Sequence, residues 1–375
     1  MARLDEIFDL QMGKTPSRSN ADYWTDGQYD WVSIADLGTY KKYVEDTKEK
    51  ISASAVQESG IKSVPANTVI MSFKLSLGKT AITQEPVYTN EAIMAFIPTG
   101  KYTVLPDYFY YLLSAKDWTK GTNRAVMGAT LNKATLGAVS VTVPPLNEQR
   151  KIVMILDKVS DLLAKHHQQL DKLDELVKSR FIEMFGDPIT NEMGWEKVQL
   201  STCIESIDNG KSLVCDTSAR QGNWPAVLKL SAATYGFYRP EENKAMLDEN
   251  QFVEDAAVRA GDLLFTRKNT PELVGMCAYV YDTPSRLMMP DLIFRLNTTN
   301  RCNKVFLWKL INHNLFRDCI RAISTGSAKS MSNISKERLL NLEIILPPAE
   351  LQEQFAVFVA QIDKSKSFDD LEVAA

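Results

Sequence analysis

Residues 131–152 read LNKATLGAVSVTVPPLNEQRKI, and residues 334–357 read ISKERLLNLEIILPPAELQEQFAV. Both segments open on a polar triplet, Leu131-Asn132-Lys133 or Ile334-Ser335-Lys336. Each passes through an apolar run, Val139–Val143 or Leu342–Leu346, to a Pro-Pro pair, Pro144-Pro145 or Pro347-Pro348. A Glu-Gln pair follows, Glu148-Gln149 or Glu353-Gln354, and leads into an apolar-periodic segment. Aligned on the Glu-Gln pairs, the second copy carries two residues inserted after its prolines. A period of about 200 residues is far longer than the roughly 20–50 residues of a solenoid repeat. The chain therefore holds two related domains, each followed by the same helix-starting signal.

The duplication extends outward from that block. Ile7 and Gly13-Lys14 match Ile204 and Gly210-Lys211, Gly78 matches Gly275, and Phe109–Leu113 matches Phe306–Leu310, always at one offset. Ala66–Ser72 (ANTVIMS) parallels Ala260–Thr266 (AGDLLFT), and the offset widens near Ser324–Lys329. Short β-like runs at Trp31–Ile34, Val69–Phe73, Ala81–Thr83, Ile93–Ile97 and Val139–Val143 surround a helical stretch at Pro106–Lys116. The fold class is α+β: two tandem homologous domains separated by long coiled-coil-type helices. Their boundaries fall at 1–146, 147–185 for the long connector helix, 186–348, and 349–375 for a second, shortened connector helix and tail.

Between Asn147, an expected N-cap, and Gly186-Asp187-Pro188, a stripe steps by three and four through Ile152, Leu156, Val159 and Leu163, then His166, then Leu170, Leu173 and Val177. That 3.5-residue period predicts a coiled-coil stripe for a partner helix. The second connector starts alike with Phe355, Phe358, Val359 and Ile362 but loses its stripe after Lys366, which predicts about 17 helical residues, roughly 25 Å.

The chain has 375 residues and a net charge of −4, and the final 27 hold six acidic and two basic residues. Elsewhere the charges segregate. No carboxylate side chain lies between Glu58 and Glu85 or between Asp117 and Glu148, and residues 292–336 carry eight basic residues against Asp318. Basic patches at equivalent places in both copies can meet phosphate without a basic pI. Phosphate or base contacts are therefore expected from Lys74, Lys79, Arg124 and Lys133 in the first copy. In the second they are expected from Arg267, Lys268, Asn269, Lys329 and Lys336, Arg and Asn being suited to bidentate contacts with guanine and adenine.

No catalytic constellation and no metal-binding pattern is legible. Gly13-Lys14-Thr15, Gly78-Lys79-Thr80 and Gly210-Lys211-Ser212 lack the earlier glycine of a phosphate loop, so they read as turns. Five cysteines, all in the second half and without a CxxC, point to reduced thiols and a cytoplasmic location. Neither a membrane span nor a signal peptide is expected.

The duplicated Leu-Asn/Ser-Lys, β-run, Pro-Pro, Glu-Gln block, with a long helix ending in Glu183–Pro188 (EMFGDP), resembles the specificity subunit of type I restriction–modification enzymes. The resemblance implies two target recognition domains, each reading one half of a gapped site in double-stranded DNA. It implies that the helical stripe from Ile152 to Val177 docks methylase subunits, two of them, with a restriction/translocase subunit as further partner. Self-association through the long helix is a further possibility. The family is itself non-catalytic: S-adenosylmethionine and ATP belong to the partner subunits, and no cofactor is expected in this chain. The competing reading is a scaffold or inhibitor that binds the methylase through its helix without reading DNA.

Overall fold

Strand order is where the duplication becomes physical. A computed structural model describes residues 1–74, 76–118, 123–125, 128–326 and 331–374, excluding the side chains of 123–125, 128–130 and 367–374. The chain divides into two compact units, Met1–Lys165 and His166–Ala375.

In the first unit a four-stranded antiparallel sheet runs in the order Phe8–Met12, Ile93–Pro98, Val69–Ser72, Thr80–Ile82. The second unit repeats that order with Ile204–Asn209, Ile293–Thr298, Leu263–Thr266 and Cys277–Tyr279. Each unit adds a three-stranded sheet with one parallel pairing: Glu49–Ile51, Tyr29–Val32, Tyr88–Thr89, and Asn243–Ala245, Ala226–Leu228, Leu287–Met288. Each also closes on itself. Ala2–Arg3 pairs with Ser140–Val141, and Glu196–Gln199 pairs with Glu343–Leu346.

Two glycine positions explain why the repeat retains glycine. A Cβ at Gly13 would collide with the carbonyls of Thr89 and Asn90, and one at Gly210 with those of Met289 and Pro290. Gly78 and Gly275 take φ of 82° and 74°, the left-handed region that costs other residues strain. The Gly13-Lys14 and Gly210-Lys211 motifs are therefore places of close backbone approach.

Pro106–Ser114 and Lys304–Asn312 form the helix predicted in each copy. Phe109 packs 4.2 Å from Phe8 in the first core, and Phe306 lies 5.0 Å from Phe185 in the second. Burying a side chain of that size contributes about 1.5–3 kcal/mol.

The connector helix spans Leu146–Phe185, 40 residues and about 60 Å at 1.5 Å per residue. It starts one residue before the expected Asn147 cap. The second helix spans Ala349–Ala374, longer than the expected 17 residues. Loss of the apolar stripe after Lys366 removes a packing face, but no proline or glycine there breaks the backbone.

The two-residue insertion after the second Pro pair does not exist structurally. Gln149 and Gln352, not Gln354, are the equivalent residues, and both are fully buried. Gln149 Oε1 accepts from the Leu105 amide at 2.8 Å, while its Nε2 donates to the carbonyls of Thr103 and Pro144 at 2.9 Å. Gln352 Oε1 accepts from the Asn303 amide at 2.8 Å, and its Nε2 donates to Arg301 and Pro347 at 3.1 and 2.7 Å. Both helices begin directly after the Pro pair, so the offset is constant through the block. Among the described residues no helix is long and apolar enough to cross a membrane.

Candidate nucleic-acid interface

In the second unit the chain leaves the central sheet at Thr266. The Ile334 amide donates to the Arg267 carbonyl at 2.8 Å, and Lys268–Asn269 pairs with Ser332–Asn333. The Arg267 guanidinium lies 5.0 Å over the Phe294 ring and donates to Asn333 Oδ1 at 3.2 and 3.3 Å. Lys336 Nζ approaches the same ring at 5.7 Å and donates to the Ile207 carbonyl at 2.5 Å. Four of the five predicted residues thus converge on one ladder beside Phe294. Lys329 lies outside the described residues.

Convergence does not make all four available to a ligand. Asn269 is buried, its Nδ2 donating to Thr234 Oγ1 at 3.1 Å and its Oδ1 accepting from the Thr270 amide at 2.9 Å. The Lys336 ammonium is likewise engaged by its own fold. Arg267 and Lys268, both half-buried, remain as the groups at this edge able to face outward.

The first unit makes the equivalent hydrogen bond from the Leu131 amide to the Phe73 carbonyl at 3.0 Å, with Lys74 Nζ 5.2 Å over the Phe73 ring. Lys133 is exposed at the first position of the helix Lys133–Gly137, which Asn132 caps through the Thr135 amide at 2.8 Å. Lys336 occupies that position in the helix Lys336–Leu340, capped by Ser335. Lys79 is exposed but apart from these, its ammonium resting against Gly38 at the end of the helix Ile34–Leu37. Arg124 lies on the strand Asn123–Ala125, and its side chain is outside the described residues.

The basic stretch 292–336 largely turns inward, which charge counting does not foresee. Arg295 is buried against Asp262 at 3.0 Å, and Arg317 is buried with bonds to the carbonyls of Gly275 and Val274 at 3.0 and 2.6 Å. Burial lowers the Arg317 pKa from its ordinary value. Lys304 donates to the Gly261 carbonyl at 2.8 Å. These cations satisfy backbone oxygens that the irregular turns leave without partners.

Two outward features were missed. A cleft of about 450 Å³ in the second unit is lined by Lys211, Lys229 and Lys244 with Ser212 and Ser231, and Asp291 is its one carboxylate. The segment Tyr235–Arg239 carries exposed Tyr235 and Phe237, with the Arg239 guanidinium 4.5 Å over the Phe237 ring. The YGFYR run, basic and aromatic together, was a readable signal for stacking. The three lysines, spread over 34 positions of sequence, gave none.

The predicted helical stripe divides in two. Val177 is buried, Leu156, Leu170 and Leu173 are half-buried, and Ile152, Val159 and Leu163 are exposed. Ile155 and Leu162, outside the predicted stripe, are more exposed still, at 61% and 66%. The equivalent face of the second helix behaves otherwise: Phe355 and Val359 are fully buried, Phe355 lying 5.6 and 5.3 Å from Phe181 and Phe185. Within the first unit Asp157 anchors the helix, bonded at 2.6 Å to both Lys42 Nζ and the Tyr111 hydroxyl. Burial alone would depress the Lys42 amine, but its bonds to Asp107 and Asp157 outweigh it and raise its pKa.

Two copies of one mixed sheet unit, each followed by a helix launched from a Pro-Pro turn and a buried glutamine, define a tandem α+β recognition-domain architecture. The chain belongs to the family described as the type I restriction modification DNA specificity domain, which matches residues 1–175 and 192–369. It is 27% identical over 229 residues to the type I restriction enzyme MjaIX specificity subunit of Methanocaldococcus jannaschii, covering 56% of this chain and 52% of that protein. It is 29% identical over 232 residues to the EcoEI specificity subunit of Escherichia coli, covering 59% of this chain and 39% of that protein. The chain thus spans about half or less of the length of these relatives. A 22% match to the MjaVIII specificity subunit of the same archaeon covers 97% and 85% of the two chains. In fold it is similar to the S subunit of a type I restriction–modification system from M. genitalium, with a TM-score of 0.54 at 11% identity, covering 99% and 91% of the two chains.

Proposed function

We propose that this chain is the non-catalytic DNA sequence-specificity subunit of a type I restriction–modification complex, each unit reading one half of a gapped site. The observation that carries this reading is the repeated hydrogen bond, Leu131 to Phe73 beside Lys74 and Ile334 to Arg267 beside Lys268, just past the end of equivalent strands of the two four-stranded sheets. Two equivalent basic strand ends suit a target with two halves. Phosphate contacts set the register and base-edge contacts specify. The Lys211–Lys229–Lys244 cleft supports the same reading.

The helix supplies the partner side of the proposal. Ile152, Ile155, Val159 and Leu162 form an exposed apolar face, whereas Phe355, the repeat equivalent of Ile152, is covered. An exposed stripe at helical spacing suits a partner helix, and methylase subunits, two per complex, are the proposed occupants. S-adenosylmethionine and ATP chemistry would reside on the methylase and the restriction/translocase subunit, in the cytoplasm.

The test is co-expression with the neighbouring methylase in an unmethylated host, followed by genome-wide mapping of modified adenines. A single gapped motif with two defined halves, lost without this chain, is the expected result. A stable complex that methylates nothing would overturn DNA reading in favour of a scaffold that only binds the methylase.

A further inference from the structure

A cleft of about 670 Å³ lies within the second unit, between residues 170–181 of the connector helix, the helix Lys304–Asn312 and residues 363–366 of the C-terminal helix. Its volume falls inside the roughly 300–1,000 Å³ typical of small-molecule sites. Aromatic rings form its walls. Tyr279 stacks on Trp308 at 6.0 Å, Tyr281 meets Tyr279 edge-on at 4.8 Å, and Phe237 and Phe181 close the sides.

Into these rings projects one cation. Lys309 is half-buried, and its Nζ sits 3.5 Å from the centre of the Trp308 ring. Among the described residues no oxygen accepts a hydrogen bond from it. The neighbouring charges are satisfied otherwise: Lys366 pairs with Asp174 at 2.5 Å and with Asp363 at 3.6 Å, and Asp363 also accepts from the Tyr281 hydroxyl at 3.0 Å. A partly desolvated ammonium held only by a ring face lacks the acceptor that its burial calls for.

We propose that this cleft is a binding site for a small, flat aromatic carboxylate, its ring stacked among Tyr279, Tyr281 and Trp308 and its carboxylate on Lys309 Nζ. The ring supplies the surface the aromatic walls favour, in offset or edge-on contact. One carboxylate supplies the missing acceptor through a charge-assisted hydrogen bond. The charge set selects a monoanion. Lys178, Lys309 and Lys366 line the cleft, and Lys366 is already paired with Asp174 and Asp363, so a polyphosphate would face Asp174, Asp282 and Asp363 with too few cations.

Lys309 titrates within reach of experiment, because burial lowers its pKa to about 8. The groups facing it are Asp174 and Lys178 from the connector helix, Asp363 and Lys366 from the C-terminal helix, Asp282 beyond the strand Cys277–Tyr279, and His313 at the C-cap of its own helix. Lys178 and Lys366 act with burial, whereas Asp174 and Asp363 oppose it. The carboxylate binds the ammonium form, so affinity is fully present below the Lys309 pKa and falls as pH rises through about 8.

The probe is anthranilate, which is fluorescent and stays ionised across that range, with anthranilamide as its neutral counterpart. Both are titrated into the full chain, following anthranilate anisotropy and quenching of tryptophan emission. Saturable one-site anthranilate binding is expected, weakened about tenfold or more for anthranilamide, for Lys309→Met and above the Lys309 pKa. Anthranilate that fails to saturate at millimolar concentration, or binds a folded Lys309→Met variant unchanged, overturns the proposal. If Lys309→Met does not fold, wild-type affinity that stays flat as pH rises past about 8 overturns it equally.

Discussion

Gln149 and Gln352 make the same three hydrogen bonds in their respective units, joining the first turn of each helix to the segment before the domain's main helix and to a proline carbonyl. Each amide is fully buried and uses both its donors and its acceptor. Truncation would strand a backbone amide and two carbonyls away from water. Gln352→Ala is expected to cost the second unit about 2–3 kcal/mol, and Gln149→Ala the first unit a similar amount. Hydrogen exchange resolved by segment checks this, since two units do not share a single unfolding free energy. Loss of protection in both units from either variant would show the glutamines to be linked beyond their own domains.

The contrast between Ile155 and Phe355 separates docking from folding. Ile155→Glu with Leu162→Glu places charge on an exposed face, so the chain should keep its helical circular dichroism while methylase co-purification is abolished. Phe355→Ala opens a cavity among Phe181, Phe185 and Phe306, expected to cost about 3–5 kcal/mol. Retained co-purification by the folded double variant would rule this face out as the methylase contact.

Arg267 and Asn269 are two residues apart in sequence yet differ in what they can do. Arg267→Ala should weaken binding to the cognate duplex by about 1–3 kcal/mol and reduce the salt dependence by about one counterion if its contact is to phosphate. Asn269→Ala removes a buried bond to Thr234, and the expected outcome is a less stable second unit. Equilibrium binding at several salt concentrations, with thermal melts alongside, distinguishes the two. A stable Asn269→Ala protein with altered target preference would return Asn269 to base reading.

What was legible in the sequence follows from period and chemistry. The Pro-Pro block, the glycines at 13, 78, 210 and 275, and the stripe from Ile152 to Val177, interrupted only at His166, each leave a local mark that the fold obeys. Strands such as Phe8–Met12 and Glu49–Ile51, five and three residues long, are too short to show a period and depend on partners far along the chain. The alignment erred at the second Pro pair because Glu-Gln occurs two residues late, at Glu353-Gln354, and only burial reveals which glutamine is bonded. Basic residues misled for a related reason. Arg295 and Arg317 look like phosphate contacts until their carbonyl and carboxylate partners are seen.

His313 sets a pH limit on the second unit. It is buried, stacked 5.1 Å from Phe181, and neither ring nitrogen has a hydrogen-bond partner. Burial, and then the nearby Lys178, lower its pKa below the ordinary 6.5. A base with a depressed folded pKa stays neutral in the native state while the unfolded chain takes up a proton. The second unit is therefore most stable above pH 6.5 and loses stability as pH falls through the unfolded imidazole range. His313→Leu, with no proton to take up, should flatten that part of the profile while keeping the ring's packing volume approximately. Segment-resolved hydrogen exchange at neutral pH and at about pH 5.5 provides the comparison, with the first unit as internal reference. If the variant loses as much protection on acidification as the native chain, the acid sensitivity arises from carboxylates, and His313 is accommodated in its charged form.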